Sequence, residues 1–160
     1  MTINYKNLEL IVYDFDGVLT DNKVNIDQFG NESVQVNRSD GLGISKIKEL
    51  GIEQIILSTE TNVVVLKRAE KLGLKCIQSV KNKAKELSNY CLKKDISLQR
   101  TVYLGNDIND KKAMDLVGYP ICPSDAHESI KSISKIILFS KGGEGVAREL
   151  IDLLVNRKRG

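Results

Sequence analysis

Hydrophobic residues along the chain form short runs rich in β-branched side chains, and these runs predict strands. Six such runs lie at residues 8–13 (LELIVY), 53–58 (EQIILS), 75–78 (KCIQ), 101–105 (TVYLG), 120–122 (PIC) and 135–139 (KIILF). Their apolar pattern is continuous rather than alternating, which is typical of strands buried on both faces of a sheet.

The segments between these runs have the residue spacing of amphipathic helices. The apolar stripes consist of Ile44, Ile47 and Leu50; Val63, Leu66 and Ala69; Ala84, Leu87 and Cys91; and residues 145–155. Asn62 is placed to cap the second helix, while Gly51 and Gly73 are placed to end the first and the second. Strands alternating with helices predict an α/β fold, namely a doubly wound (Rossmann-like) parallel sheet covered by helices on both faces.

Residues 22–37 (NKVNIDQFGNESVQVN) interrupt this rhythm, because their apolar positions alternate like those of a β-hairpin. Val24 and Ile26 precede a turn around residues 27–31, and Val34 and Val36 follow it. Such a hairpin would project from the carboxyl end of the sheet, where open α/β sheets bind ligands. Its apolar face has no partner within a domain of this size, which indicates a subunit contact.

Composition and charge narrow the class of protein. The 160 residues predict a single domain over 1–160, and the net charge of +3 gives no reason to expect a nucleic-acid partner. The basic residues 157–159 are interpreted as a solvated tail. No run of 18 apolar residues and no leader is present, which predicts no membrane partner. Cys76, Cys91 and Cys122 are odd in number and widely spaced, as expected of reduced core thiols in the cytoplasm.

The first candidate site is YDFDGVLTD at residues 13–21, directly after the first apolar run. Asp14 and Asp16 lie two residues apart at the tip of a predicted parallel strand, so they point the same way. One carboxylate there can hold a cation and attack phosphorus, and the other can protonate the leaving oxygen. Gly17 allows the backbone to turn and present its N–H groups to a phosphate. The alternative is a polar turn closing a strand, and Asp21 is interpreted as fixing the loop where the hairpin begins.

A second polar cluster, GNDIND at residues 105–110, follows the apolar run TVYL. Asn106, with Asp107 and Asp110 as further candidates, offers the oxygen ligands that Mg²⁺ prefers. The alternative is a helix N-cap, since Asn109 or Asp110 precedes a helical stretch. Two acidic strand tips almost 90 residues apart favour a shared site.

Further candidate site residues lie between these clusters, at a strand end and near a helix start. Ser58 and Thr59 end one apolar run, and a hydroxyl there can donate to a phosphate oxygen. Lys83 near a helix start can neutralise the phosphate and steady the nucleophile, although an ordinary solvated lysine is the alternative.

The candidate residues follow one another along the chain as Asp, Ser, Lys and Asp, and in this order the chain resembles the haloacid dehalogenase superfamily of phosphatases. DFDGVLTD is similar to the first motif of that superfamily, Ser58 to the second, Lys83 to the third and GNDIND to the fourth, and the resemblance runs from Leu8 to Leu154. DGVLTD with the hairpin, then RSDGLGI, SDAHESIK and KGGEGVAREL, resembles the capless subgroup that dephosphorylates 2-keto-3-deoxy sugar acids. That subgroup includes 3-deoxy-manno-octulosonate 8-phosphate phosphatases, nonulosonate 9-phosphate phosphatases and a domain fused to some sialic acid cytidylyltransferases.

The resemblance implies roles for these residues. Asp14 would be the nucleophile and Asp16 the general acid and base. Asp14, the carbonyl of Asp16 and Asn106 would hold Mg²⁺. It also implies a homotetramer joined through the hairpins, with the glycine-rich residues 142–145 of a neighbouring subunit approaching the site.

The substrate is indicated by residues 58–60, which read Ser-Thr-Glu where octulosonate phosphatases usually have Thr-Gly-Arg. Glu60, Arg68 and Lys71 are similar to the trio associated with nonulosonate 9-phosphate phosphatases. Arg68 and Lys71 share a helix face and can meet a substrate carboxylate, although a charged solvent-facing surface is the alternative. SDAH at 124–127 is more similar to the octulosonate enzymes, and His127 is open to either a structural or a catalytic role. A phosphorylated nine-carbon sugar acid is therefore favoured.

Asn106 departs from the resemblance, because the superfamily usually has Asp there. An amide oxygen coordinates without bringing a negative charge, so affinity for the metal should fall. This leaves a rival hypothesis, a catalytically weak oligomerisation partner of an acylneuraminate cytidylyltransferase. Phosphomutase chemistry is disfavoured, because it generally needs a cap domain to exclude water. The 43 residues between Asp14 and Ser58 and the 24 between Ser58 and Lys83 leave no room for a sizeable cap.

Overall fold

A computed structural model of the protein describes residues 3–155, and six parallel strands within them form one sheet in the order β5-β4-β1-β6-β7-β8. These strands are β1 (Leu10–Tyr13), β4 (Glu53–Leu57), β5 (Lys75–Ile77), β6 (Thr101–Leu104), β7 (Tyr119–Cys122) and β8 (Ile136–Ile137). Five of the predicted apolar runs contain a whole strand, and β7 begins at Tyr119, one residue before the predicted run 120–122. The chain reaches β1 first and then winds outward in both directions, to β4 and β5 on one side and later to β6, β7 and β8 on the other. The predicted doubly wound α/β sheet is therefore confirmed.

Helices cover both faces of the sheet. They are α1 (Arg38–Glu49), α2 (Val64–Leu72), α3 (Lys83–Lys94), α4 (Lys111–Met114), α5 (Glu128–Lys131) and α6 (Val146–Val155). Alternate residues of β1 pack into two separate hydrophobic clusters. Ile11 and Tyr13 pack with α1, α2 and α6, while Leu10 and Val12 pack with α3, α4 and α5. The two faces explain why the strand sequences are apolar without alternation.

The predicted hairpin consists of β2 (Asn25–Ile26) and β3 (Glu32–Ser33), which pair antiparallel. An isolated bridge between Thr20 and Val36 closes its base. Asp27 holds the turn, since its carboxylate accepts hydrogen bonds from the N–H groups of Phe29 and Asn31 at 2.9 Å. Between Asp14 and Ser58 the chain therefore holds only this hairpin, α1 and β4 as regular elements, and no cap domain occurs there.

The predicted inner face of the second helix was wrong at Val63, which is 57% exposed. The helix begins at Val64 and its N-cap is Val63, so the prediction that Asn62 is the cap was off by one residue; the Asn62 side chain still accepts from the N–H of Val64. Val65 and Ala69, four residues apart, form the buried face instead. Gly73 ends the helix in the left-handed conformation as predicted.

Other predictions have mixed outcomes. Cys91 and Cys122 are buried, Cys76 is half-buried, and all three are free thiols as predicted. No helix in the described part of the chain is long and apolar enough to cross a membrane. The basic residues 157–159 lie outside the described residues, and the single domain over 1–160 stays a prediction.

Candidate active site

The carboxyl ends of three adjacent strands place the predicted site residues along one edge of the sheet. Asp14 follows β1, Ser58 follows β4 and Gly105–Asn106 follow β6, and β1 lies between the other two. The backbone N–H of Asp14 donates to the carbonyl of Leu104 at 2.9 Å. This hydrogen bond continues the parallel ladder beyond the strand and fixes Asp14 beside the loop of Asn106.

Lys83, the first residue of α3, reaches into this edge and joins two carboxylates. Its Nζ lies 2.7 Å from Asp14 Oδ1 and 2.7 Å from Asp110 Oδ1, and all three side chains are buried. The solvated alternative for Lys83 was therefore wrong, because its side chain is buried and its ammonium is paired with two carboxylates. A buried charge needs such partners, so the three side chains depend on one another.

Tyr103 belongs to this network, although no motif in the sequence identifies it as a site residue. It is fully buried in β6, and its hydroxyl lies 2.9 Å from Asp110 Oδ1. A buried tyrosine usually needs a hydrogen-bond partner for its hydroxyl. The signal in the sequence that could have identified Tyr103 is therefore its hydroxyl, a polar group within the apolar run TVYL.

Asp110 lies behind the site rather than facing it. Its Oδ1 accepts from Lys83 and Tyr103, and its Oδ2 accepts from the N–H groups of Asn106 and Asp107 at 3.0 and 3.3 Å. Both oxygens are occupied by protein donors, which corrects the expectation that Asp110 is a further metal ligand. Its side chain does not cap α4 either, because it makes no cap hydrogen bond there. Asp107 remains a candidate ligand; its Oδ1 accepts from the N–H of Ile108 at 2.7 Å.

The charges of this network act on one another. Burial, followed by the negative charge of Asp110, raises the pKa of Asp14, while Lys83 and the N–H of Phe15 oppose that rise. Burial lowers the pKa of Lys83, but Asp14 and Asp110 together outweigh burial and raise it above its ordinary value of 10.5. Lys83 is therefore a permanent cation beside the proposed nucleophile.

Asn106 meets Asp14 and Asp16 on the outer side of the network, and its amide has two orientations. With its nitrogen turned inward, it donates to the carbonyl oxygen of Asp16 at 3.0 Å and to Asp14 Oδ2 at 3.1 Å. With its oxygen turned inward, that oxygen lies at the same distances from two other oxygens. Neighbouring ligands of an octahedral Mg²⁺ are also about 3 Å apart, because each lies about 2.1 Å from the ion. The three oxygens therefore fit a small divalent cation.

This donor set differs from a cluster of acidic side chains. Within residues 3–155, no group of three or more His, Cys, Asp or Glu side chains is arranged to hold a metal ion. The candidate cation site instead combines a carboxylate, a main-chain carbonyl and an amide. Oxygen-only donors of this kind suit Mg²⁺, which commonly keeps several water ligands.

Asp16 is half-buried at the mouth of the site. Burial and then the negative charge of Glu60 raise its pKa, so it keeps a proton to higher pH than an exposed aspartate. Gly17 follows with φ of +81°, and a Cβ at this position would overlap the Asn106 amide. Only glycine meets both demands, which supports the expectation that Gly17 shapes the loop.

The two predicted hydroxyl residues differ in exposure. Ser58 is buried, and its Oγ accepts from the N–H of Glu60 at 3.0 Å, which leaves the hydroxyl hydrogen to donate elsewhere. Thr59 is exposed. Ser58 therefore has the better-fixed position of the two for a phosphate oxygen.

The predicted specificity trio is only partly brought together. Arg68 and Lys71 line a pocket of about 390 Å³ between α1 and α2, together with Val36, Arg38, Gly41 and Leu72. The Arg68 guanidinium donates to the carbonyl of Asn37 at 3.0 Å, while its Nε is buried without a partner. Glu60 does not line this pocket, and its carboxylate accepts from the N–H groups of Thr61 and Asn62. A larger cavity of about 600 Å³ at the start of α3 contains none of the predicted site residues.

Three more expectations concern residues around the loop. Asp21 accepts from the N–H of Lys23 at 3.0 Å, so it shapes the start of the hairpin as interpreted. The His127 ring accepts from the N–H of Ser129 and so caps α5, which favours a structural role for it. Residues 142–145 pack against the Asp14–Asp21 loop of their own chain, so the expected approach of a neighbour's segment stays a prediction.

Comparison with known proteins places this site in a family. The pattern of the haloacid dehalogenase-like hydrolases matches residues 44–150. The chain is 30% identical over 151 residues to the 3-deoxy-D-manno-octulosonate 8-phosphate phosphatase of Salmonella typhi, covering 94% of this chain and 80% of that protein. It is 28% identical to N-acylneuraminate cytidylyltransferase A of Danio rerio, over 94% of this chain but only 36% of that protein.

A solved structure gives the same relationship. The 3-deoxy-D-manno-octulosonate 8-phosphate phosphatase of Moraxella catarrhalis, in complex with magnesium, phosphate and the sugar acid, superposes with a TM-score of 0.90. The two chains are 30% identical, and the match covers 94% of this chain and 87% of that one. The chain therefore belongs to the haloacid dehalogenase-like hydrolases and is a phosphoric monoester hydrolase similar to the 3-deoxy-D-manno-octulosonate 8-phosphate phosphatases.

Proposed function

We propose that the protein is a Mg²⁺-dependent phosphatase that hydrolyses the phosphate monoester of a 2-keto-3-deoxy sugar acid through an aspartyl-phosphate. The observation that carries this proposal is the meeting of Asp14 Oδ2, the Asp16 carbonyl and the Asn106 amide beside Lys83. Similarity to a phosphatase solved with magnesium, phosphate and a sugar acid supports it.

In the first step, the Asp14 carboxylate attacks phosphorus and the bond from phosphorus to the sugar oxygen breaks. Asp16 gives its proton to that oxygen, so the sugar leaves as an alcohol. The raised pKa of Asp16 suits this role, since the residue must start protonated. Lys83 stabilises charge on Asp14 and on the transferring phosphoryl group, and Ser58 donates to a phosphoryl oxygen.

In the second step, Asp16 accepts a proton from water as the water oxygen attacks the phosphorus. The bond between phosphorus and Asp14 breaks, inorganic phosphate leaves, and both carboxyl groups return to their starting state. Asp14, the Asp16 carbonyl and Asn106 would hold Mg²⁺, with Asp107 as a further candidate ligand. When bound, the ion supplies positive charge that neutralises the phosphate.

The proposed substrate is a nonulosonate 9-phosphate, favoured over octulosonate 8-phosphate by Glu60, Arg68 and Lys71. Arg68, Lys71 and Arg38 give their pocket a positive charge that suits the substrate carboxylate. Glu60 raises the pKa of Asp16 through its own charge, and it is proposed to accept from the sugar hydroxyls. Thr59 is exposed beside it and is proposed to contact the substrate as well.

The test is release of phosphate from octulosonate 8-phosphate and two nonulosonate 9-phosphates, with and without Mg²⁺. We expect Asp14→Asn to abolish release, because the amide is a poor nucleophile, while Asp115→Asn on the exposed surface leaves it unchanged. Release that survives Asp14→Asn, or that is unaffected by chelation of Mg²⁺, would overturn the proposal.

Substrate preference is tested with Lys71→Ala. The variant should raise KM for the sugar acid phosphates several-fold and leave KM for p-nitrophenyl phosphate unchanged, because that ester has no carboxylate. Equal effects on both esters would reject the pocket as the carboxylate site. A higher kcat/KM for the octulosonate ester in the wild-type protein would reject the nine-carbon preference.

A second candidate function rests on Asn106 and on the similarity to the cytidylyltransferase. In that function the protein would be a catalytically weak oligomerisation partner of an acylneuraminate cytidylyltransferase. No release by the wild-type protein, together with release by Asn106→Asp, would favour it. Co-purification with such an enzyme would then be the direct test.

Subunit contact and location complete the proposal. The hairpin exposes Val24, Ile26 and Phe29, and we propose that these side chains join subunits of a homotetramer. Glu32 of the hairpin also accepts from Asn62 at 3.5 Å and contributes to the raised pKa of Asp16, so the hairpin lies close to the site. A cytoplasmic location is the remaining prediction.

A further inference from the structure

Residues 142–145, here called the glycine segment, pack directly against the loop that carries Asp16. The N–H of Gly143 donates to the carbonyl of Val18 at 3.0 Å. A Cβ at Gly143 would lie 2.6 Å from the backbone nitrogen of Asp21, and a Cβ at Gly142 would overlap the carbonyl of Gly17. The two backbones therefore touch without intervening side chains.

The opposite side of the same loop meets Asn106. A Cβ at Gly17 would overlap the Asn106 amide, so Gly17 is in contact on that side as well. The loop is thus held between the proposed metal ligand Asn106 and the glycine segment. Asp16 directly precedes Gly17, so any movement of that residue also moves the Asp16 backbone and its carbonyl.

The glycine segment is itself fixed at two points, and the helix that follows it is fixed at a third. The N–H of Gly142 donates to Asp125 Oδ1 at 2.9 Å, and the Asn37 side chain donates to the carbonyl of Gly143 at 3.2 Å. At the start of α6, the N–H of Ala147 donates to the buried carboxylate of Asp40 at 2.9 Å. These anchors come from three different parts of the chain, so the segment is a fixed support rather than a loose connection.

We propose that the glycine segment is a positioning element for the catalytic loop, with Gly142 and Gly143 as positioning residues for Asp16. The inference rests on the proposed function for the role of Asp16, and on geometry alone for the support of the loop. Displacing a catalytic group by about 1 Å can cost about a hundredfold in rate. A side chain at either glycine must push the loop towards Asn106 or push the segment off its anchors.

The test compares two glycines with nearly the same φ. Gly143 has φ of +75° and Gly51 has φ of +76°, so at both positions alanine has to adopt a positive φ that it disfavours. A Cβ at Gly51 meets nothing within 4 Å, whereas one at Gly143 meets Thr20 and Asp21. We expect Gly143→Ala to lower kcat about tenfold or more beyond Gly51→Ala, with KM changed by less than about threefold.

A milder variant guards against failure of Gly143→Ala to fold. Asp125 is exposed, and Asp125→Ala removes the acceptor for the N–H of Gly142 without placing a side chain in the contact. It should lower kcat several-fold, and Asp125→Asn, which keeps an oxygen acceptor, should restore most of the rate. Equal rates for Asp125→Ala and wild type, or no rescue by Asp125→Asn, would count against the proposal.

Hydrogen exchange separates this inference from the proposed function. The amides of Leu19 and Thr20 donate to the carbonyl of Phe15 inside the loop, and their exchange reports whether the loop is held. They should exchange faster in Gly143→Ala and Asp125→Ala than in Gly51→Ala. Unchanged exchange would overturn the support of the loop, whatever the rates. Faster exchange in a protein that releases no phosphate would uphold that support and reject only the proposed function.

Discussion

The Lys83 ammonium lies 2.7 Å from Asp14 Oδ1, with both side chains buried at the carboxyl edge of the sheet. Lys83 begins α3 and Asp14 follows β1, so one ion pair joins a helix on one face to the central strand. Removing a buried charge leaves its partner uncompensated, and this cost exceeds the net stabilisation that the pair provides. Lys83 is therefore important for the fold as well as for the chemistry.

Replacement of Lys83 by alanine should reduce the free energy of unfolding by about 3–5 kcal/mol at pH 7, because Asp14 and Asp110 lose their buried cation. It should also reduce phosphate release below detection, since the protein then supplies no cation of its own to Asp14 or to the transferring phosphoryl group. Urea denaturation measures the first effect and a phosphate assay the second.

Lys85 provides the matched control for that experiment. It lies in the same helix but is exposed, so Lys85→Ala should change stability by less than about 0.5 kcal/mol and leave the rate unchanged. Equal losses from Lys83→Ala and Lys85→Ala would show that the buried ion pair has no special weight.

The sequence predicted the sheet well because its signals are local. An apolar run such as 101–105 identifies a buried strand, and polar residues directly after it identify the carboxyl edge. Strand order follows less directly, but a central first strand explains why Asp14 and Asn106 meet although 92 positions separate them in the chain.

Side-chain direction was harder to predict. Asp110 is a residue type that commonly binds metal ions. Its carboxylate instead accepts hydrogen bonds from Lys83 and from the backbone N–H of Asn106 in the turn after Gly105. The packing of residues 142–145 on their own catalytic loop depends on anchors at Asn37 and Asp125, and on Asp40 at the start of the helix that follows. Contacts between residues so far apart in sequence leave no periodic pattern, so one sequence alone does not reveal them.

Asp40 should make stability depend on pH. Burial raises its pKa from 3.8 to about 6, while the N–H groups of Ala147 and Arg148 and the charge of Arg68 oppose the rise. The folded state thus binds this proton more tightly than the unfolded state does. The resulting stabilisation is present below pH 3.8 and is lost as pH rises through about 6.

The measurement is the free energy of unfolding of wild type minus that of Asp40→Asn, between pH 4 and 7. This difference should fall by roughly 3 kcal/mol, at about 1.4 kcal/mol per pH unit, since the variant has no proton to lose. Subtraction removes the contribution of carboxyl groups that titrate alike in both proteins. Of the ionisable neighbours of Asp40, Arg68 stays charged and Tyr13 stays neutral in this range, because the pKa of Tyr13 is raised. A difference that stays constant across the range would contradict the prediction.

The hairpin should hold the subunits together. Ile26 is 68% exposed in β2, and Ile26→Lys should convert the assembly into a species of lower mass, because a charge would be buried in the proposed contact. Multi-angle light scattering measures that mass. Leu92→Lys is the control, since Leu92 is 84% exposed on α3 and lies away from the hairpin. A monomeric wild type, or equal masses for wild type and Ile26→Lys, would reject the hairpin contact.

Asn106→Asp should be less stable than wild type without metal and more stable than wild type in Mg²⁺. Without a cation, the Asn106 amide donates to Asp14 Oδ2 and to the Asp16 carbonyl, so it occupies the place that a cation would take. A carboxylate there offers no donor and meets a second carboxylate about 3 Å away, which should cost about 1–3 kcal/mol. In a chelating buffer the variant should therefore melt several degrees below wild type.

In millimolar Mg²⁺ the variant should gain more than wild type and melt above it, because it adds a negative ligand and has no inward amide to turn. Calorimetric titration should give a Kd for Mg²⁺ at least about tenfold lower for the variant. Asn109→Asp makes the same chemical change at an exposed position of the loop and should shift neither value. If Asn106→Asp were as stable as wild type without metal, the amide could not be acting in place of the cation. Asn106 and the Asp that the superfamily usually has at this position would then affect the site only through their difference in charge.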